Sequence, residues 1–211
     1  YTLSLHDALP ILYTTMNYNF EFFSLAIFFT GEMPLFLQTV KDTFCSDFAT
    51  GCAILYADEL NIENYFMPEV GGNHDDCFSF WQTQNYPDLI LFTSNSTDGR
   101  YTLCNILHLK LNCDFVLCRM SGNIEYPLYE FHYTCASEGS RSIIAYKDPK
   151  WVFYENGVPL PFENLSLYKN RLIKKRLNSE IIRSYLLQMG VALELIDVNV
   201  SSSYTCIRTK K

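Results

Sequence analysis

The strongest constraint on this chain is the placement of two cysteines, one tryptophan and one tyrosine between positions 133 and 206. Cys135 closes Tyr133-Thr134-Cys135. Trp151 follows sixteen positions on, in Trp151-Val152-Phe153-Tyr154-Glu155-Asn156-Gly157, and Tyr204 stands two residues before Cys206. The residues leading into Cys135 alternate as a strand does. Tyr129, Phe131, Tyr133 and Cys135 share one parity, and Leu128, Glu130, His132 and Thr134 the other. One face is aromatic and the other mostly polar, as expected of a half-buried strand. Asn156-Gly157, directly after the tryptophan strand, reads as a hairpin turn because both residues tolerate positive φ. Leu193 to Val198 and Tyr204 to Cys206 read as further strands.

These residues resemble the core of immunoglobulin-superfamily receptor domains. Trp151 to Leu160 is similar to the tryptophan strand and its turn, and Leu193 through Cys206 to strands E and F. The resemblance implies two sheets packed face to face and pinned by a Cys135–Cys206 disulfide. Trp151 would fill the core beside the sulfurs, and Tyr204 would tie the corner entering strand F. The chain departs from the pattern in two places. Val200 and Ser202 stand where an Asp and a Gly usually precede the second cysteine, and the gap from Cys135 to Trp151 is a few residues long.

Upstream, Ser96-Thr97-Asp98-Gly99-Arg100-Tyr101-Thr102-Leu103-Cys104 resembles another strand F with its entering turn, although its tyrosine is three residues before the cysteine. That resemblance implies a degenerate first domain with a Cys52–Cys104 bond. Leu107, Leu109 and Leu111 would form one face of its last strand, and Trp81 would belong to an aromatic strand of the opposite sheet. The expected fold class is therefore all-β, an immunoglobulin-like β-sandwich in two tandem domains, 41–118 and 124–211. Four cysteines per domain, and the phrase Leu167-Tyr168-Lys169-Asn170, resemble the interleukin-1 receptor family loosely. Between 168 and 188, Ile173, Leu177, Ile181, Ile182 and Leu186 recur at near-helical spacing beside Lys169, Arg171, Lys174, Lys175, Arg176 and Arg183. A short inserted helix fits this spacing, but a solvated strand region with a charged outer face is the favoured reading.

Residues 1–11, YTLSLHDALPI, are what a common sequencing-library adapter encodes and are set aside. Without Asp7 the formal net charge of −7 becomes −6. In the segment 12–40, the run Phe22 to Phe29 has the length of a signal-peptide apolar core and is too short to span a bilayer. Glu21 precedes it, and it lacks a basic flank, so untranslated or intronic sequence read through is the alternative reading of 12–40. High aromatic content with only 18% charged residues suits a β-rich chain. The acidic balance argues against nucleic acid and anionic membrane as main partners.

The eight cysteines contain no CxxC pair, which favours disulfides over zinc or thioredoxin-like chemistry. Sequons at Asn95, Asn164 and Asn199 agree with a secreted or cell-surface glycoprotein. Membrane attachment would then run through a C-terminal segment not contained in this chain.

The sequence contains no GxSxG, P-loop, HExxH or dinucleotide fingerprint. His74-Asp75-Asp76 follows a Gly-Gly-Asn turn and reads as a solvated loop. His108 and His132 read as surface residues of strands. No enzyme activity, cofactor or metal is expected. The leading expectation is a ligand-binding ectodomain of cytokine-receptor type, meeting an extracellular protein ligand or counter-receptor through sheet faces and loops. The alternatives are a secreted adhesion or decoy protein and an unrelated secreted β-barrel for small ligands.

Overall fold

The computed structural model describes residues 20–45, 52–57, 59–67, 75–122, 124–137 and 139–208. Among them nine strands form one antiparallel sheet. They are β1 (Phe22–Phe28), β2 (Cys52–Tyr56), β3 (Asp76–Thr83), β4 (Tyr86–Ser94), β5 (Phe115–Ser121), β6 (Leu128–Cys135), β7 (Gly139–Lys147), β8 (Trp151–Asn156) and β9 (Val200–Arg208). Their spatial order is β2-β9-β3-β4-β1-β5-β6-β7-β8. Three helices accompany them: α1 (Met33–Val40), α2 (Tyr101–Leu111) and α3 (Ser179–Gln188). The chain is mostly β, as expected, but it forms a single open sheet rather than a pair of facing ones. The adapter-like residues 1–11 lie outside the described residues.

The order of strands cuts across the expected domains. β9, from the stretch 124–211, lies between β2 and β3 of the stretch 41–118. The expected boundary between 41–118 and 124–211 falls in and just after β5, which pairs with β1 on one side and β6 on the other. The leader-like run is β1 itself, buried along its whole length at the centre of the sheet. A strand buried on both faces is a continuous apolar run, so sequence alone does not separate it from a leader core.

Alternation along β1 divides the interior into two layers. Leu25 and Ile27 point to one face, with Trp81, Leu91, Val116, Cys118, Phe131 and Ile143. Ala26 and Phe28 point to the other, with Phe78, Phe80, Phe92, Phe115 and Leu117. The second layer is aromatic at its centre: Phe28 stacks on Phe115 at 5.6 Å and meets Phe36 of α1 edge-on at 5.0 Å. Each such ring, fully buried, contributes roughly 1.5–3 kcal/mol.

The first face is covered by the long connection 157–199, which runs from β8 at one edge to β9 near the other. It contributes Ile182, Tyr185, Leu186, Val191, Leu193 and Ile196 to the core. The second face is covered by α1 and α2, through Phe36, Val40, Leu103 and Leu107. Among the described residues, that cover reaches β6 through Tyr101 of α2, which meets His132, and no hydrophobic residue of β6, β7 or β8 joins the second buried cluster.

Several expected strands are helical. α2 occupies the segment expected as strand F and the following strand. Its Leu103, Cys104, Leu107 and His108 make a buried stripe, while Leu109 is exposed. Asn112 ends it in the left-handed region at φ 48°. The region 168–188, favoured as a strand, contains α3. Asn178 Oδ1 accepts from Ile181 N at 3.0 Å as its N-cap, and Ile182, Tyr185 and Leu186 face the sheet. Leu193–Leu195, expected as strand E, is a single 3₁₀ turn. The Asn156-Gly157 turn is present in part. Gly157 has φ +90°, and a Cβ there would lie 2.1 Å from Ser140 O, so only glycine fits. The chain leaves it into the long connection rather than back along β8.

Candidate functional site

The expected site residues are not brought together. Cys135 on β6 and Cys206 on β9 are five strands apart, which at about 4.8 Å per strand is roughly 24 Å. A disulfide needs Cα atoms within about 7 Å. Their parities also differ: Cys206 lies in the second layer, while Cys135 shares the parity of Phe131 in the first. Both are thiols, as is Cys104, which is buried in α2. Cys52 is bonded to Cys45 instead. Trp151 is half-buried on the edge strand and stacks on Tyr129 at 6.5 Å. The tryptophan of the core is Trp81, fully buried, whose Nε1 donates to Ile196 O at 2.5 Å. Tyr204 lies within β9, stacked on Phe80 at 5.4 Å, and ties no corner.

Of the sequon residues, Asn164 and Asn199 are exposed. Asn95 is buried: its Nδ2 donates to Asp75 O at 2.8 Å and its Oδ1 accepts from Cys77 N at 3.1 Å. A glycan on that nitrogen is incompatible with this packing. Asp76, expected in a solvated loop, is buried and salt-bridged to both Arg100 and Arg208. His108, expected on a surface strand, is buried in α2, with Nδ1 and Cys113 O at 2.6 Å.

What the fold does bring together is a polar depression on the uncovered part of the second face. The parity of β6 sends Glu130, His132 and Thr134 to that face, and cross-strand register sets Arg119 beside Glu130 and Ser142 beside His132. The N-terminal end of α2 adds Tyr101 and Thr102, and the preceding turn adds Asp98. All of these but Thr134 line a cavity of about 350 Å³.

His132 is its centre. Nδ1 lies 2.6 Å from Ser142 Oγ; Nε2 lies 2.9 Å from Thr134 Oγ1 and 3.3 Å from the Tyr101 hydroxyl. Burial, with the Arg119 charge second, pushes the imidazole down to about 4, so it is neutral near pH 7. A neutral ring donates from one nitrogen and accepts at the other. Burial, then the Glu130 charge, raises the Tyr101 phenol, which stays protonated. Glu130 is bound by the Arg119 guanidinium, and Arg119 Nη1 also donates to Thr97 O at 3.1 Å. Among the described residues neither lining carboxylate hydrogen-bonds His132: Glu130 is held by Arg119, and Asp98 Oδ1 accepts from Ser96 Oγ and Arg100 N, so the His132–Ser142 pair is without the orienting carboxylate of a nucleophile–base couple. The arrangement offers hydroxyls, a neutral imidazole and a half-exposed tyrosine to a polar group.

A second depression of about 370 Å³ lies beside it, lined by Tyr126, Pro127, Leu128, Tyr146, Lys147 and Asp148. Between the two run Ile144 and the exposed Tyr154 and Val152, on the same face by register. The alternation of Glu130, His132 and Thr134 was legible in the sequence and was read as a solvent face. Ser142, Tyr101 and Arg119 carry no sequence signal that would join them to it.

No family model matches the chain, and no curated protein or solved structure matches it either. Among the described residues no helix is long and apolar enough to cross a membrane.

Proposed function

We propose that this protein is a binding module that docks a protein partner at the less covered end of its sheet, the second face of β6, β7 and β8. The observation that carries this reading is the asymmetry of cover: α1 and α2 bury this face over the rest of the sheet, whereas among the described residues α2 meets β6 through Tyr101 at its N-terminal end and Val152 and Tyr154 of β8 stay exposed. The surface left open has the anatomy of an interface, with exposed apolar and aromatic side chains at its centre and hydrogen-bonding groups at its margin. Tyr154, Val152 and Ile144 form the centre. The His132 depression would take a polar group of the partner, and the Leu128–Tyr146 depression an apolar one.

Two open depressions joined by an apolar row suit an extended protein surface better than an enclosed small molecule. Among the described residues β8 pairs with β7 alone, so its outer edge adds backbone groups that a partner strand can meet. The immunoglobulin-receptor reading shares the idea of binding through a sheet face, but the Cys135–Cys206 bond that carried it is not in this fold.

The test is site-specific photocrosslinking. A photoreactive side chain at Tyr154 (52% exposed) should give a defined adduct with one partner, and the same probe at Leu109 of α2 (68% exposed) should not. Tyr154→Asp with Val152→Asp should abolish the association while the melting temperature stays within about 2 °C, as expected of exposed positions. Equal adducts from both probes, or association that survives the double variant, would refute the proposal.

A further inference from the structure

The second face holds another cluster, at the opposite edge of the sheet. Cys45 ends the π-helical turn after α1, Cys52 opens the edge strand β2, and Cys206 lies in β9 beneath them. Their three Sγ atoms all lie within 4.8 Å of one another, with Cys52 and Cys206 at 3.8 Å. Two cysteines 7 residues apart and a third 154 residues beyond Cys52 thus converge on one point through sulfur. Cys45 and Cys52 are partly exposed and Cys206 is buried, which gives the cluster an open side and a closed floor.

We propose that Cys45, Cys52 and Cys206 form a redox-gated site for a thiophilic metal ion, with Zn²⁺ the reference ion. In the oxidised state the Cys45–Cys52 disulfide closes the site. Two equivalents of a thiol reductant convert that bond to two thiols and leave as a disulfide. The ion then displaces one proton from each of the three thiols and binds the three thiolates. The spacing fits: Zn–S bonds of about 2.3 Å at tetrahedral angles put sulfurs about 3.8 Å apart, the Cys52–Cys206 distance already present.

The charge is accommodated as well. Three thiolates and a divalent ion leave one net negative charge, and two guanidiniums stand close by. Arg208 and Arg100 both bind Asp76 and lie 4.6 Å and 5.8 Å from the ring of Phe44, the residue preceding Cys45. Three protein ligands leave a fourth position for water or an exogenous ligand. Cys104, Cys113, Cys118 and Cys135 are thiols in the same fold, so conditions that preserve them are compatible with a reduced Cys45–Cys52 pair.

Cobalt(II) is the probe, because it enters zinc sites and reports thiolate ligation by charge-transfer absorption in the near ultraviolet. The reduced full chain should take up one Co²⁺ with that absorption, and Zn²⁺ should displace it. The disulfide form should take up none. Cys45→Ser, at a partly exposed position, and Cys206→Ser should each weaken uptake by more than the roughly 10–100-fold typical of losing a mere supporting group. Cys135→Ser, far from the cluster, should bind as wild type and serves as the control. A reduced chain without the absorption would overturn the proposal. So would Cys45→Ser binding as tightly as wild type, which holds even if Cys206→Ser fails to fold. Association at the β6–β8 face is read separately and does not depend on this result.

Discussion

Arg141 Nη2 donates to Glu163 Oε2 at 2.7 Å and Arg141 Nε donates to Glu163 Oε1 at 2.9 Å, between side chains that are 2% and 0% exposed. The pair ties β7 to the start of the long connection that covers the first face. Arg141 Nη1 also donates to Asn156 O at 3.1 Å, and Glu163 accepts from Leu160 N and the Tyr168 hydroxyl, each at 2.8 Å. Burial works to raise the Glu163 carboxyl, but the bonds from Arg141, Leu160 and Tyr168 outweigh it and hold the group below its ordinary value. Removing Glu163 leaves the buried Arg141 guanidinium with the half-exposed Glu155 alone as a charged partner. Glu163→Ala should therefore cost about 3–5 kcal/mol, measured as a lower urea midpoint. Replacing both residues by apolar ones should cost much less. Equal losses from the single and double variants would show that the pair is not the source.

The two tryptophans should respond in the reverse of the order the sequence suggests. Trp81 is fully buried and hydrogen-bonded, so Trp81→Ala should cost roughly 3–5 kcal/mol. Trp151 is half-buried on an edge strand, and Trp151→Ala should cost roughly 1–2 kcal/mol. Thermal unfolding of both variants checks the ranking, and a larger loss at Trp151 would contradict the sheet order described above.

Non-reducing peptide mapping of the oxidised protein should recover Cys45 linked to Cys52, with Cys135 and Cys104 alkylated as thiols. The sequence separation of the bond is 7, and chain-entropy arithmetic for so short a loop gives about 2.5 kcal/mol. The roughly 70-residue loop implied by a Cys135–Cys206 bond would give about 4 kcal/mol. Reduction should thus lower stability modestly and leave the fold intact. A Cys135–Cys206 peptide would disprove this topology outright.

His132 should make the protein acid-sensitive. Its folded value of about 4 lies below the ordinary 6.5. Above 6.5 the ring is neutral in both states and its contribution is fully present. As pH falls from 6.5 towards 4, the unfolded chain takes up a proton that the folded chain resists, and of order 3 kcal/mol is lost. His132→Gln should flatten the stability profile in that window. An NMR titration of His132 with a midpoint near 6.5 would rule the effect out.

The sequence by itself determined the β-rich class and the strands with clear alternation. β6 and β8 were legible in this way, as was the need for glycine at position 157. In these cases the information is local: a period of two, an aromatic face, a residue that tolerates positive φ. Where local patterns were degenerate, the sequence misled. Leu107, Leu109 and Leu111 alternate like a strand, yet Leu103, Cys104, Leu107 and His108 also form a helical stripe, and the cover of the aromatic second layer selected the helix. Phe22–Phe28 fits a leader core or a central strand equally, and only its partners β4 and β5 distinguish them.

Strand order was decided by tertiary structure alone. Nothing near Val200–Arg208 specifies insertion between β2 and β3, and that insertion separates Cys206 from Cys135 and carries it to Cys52. The same holds for the depression around His132. Register placed Ser142 and Arg119 beside the polar parity of β6, and helix packing left that face uncovered. Contacts between residues distant in sequence depend on which faces the whole chain can bury together, and a spacing of cysteines, a tryptophan and a tyrosine does not encode that.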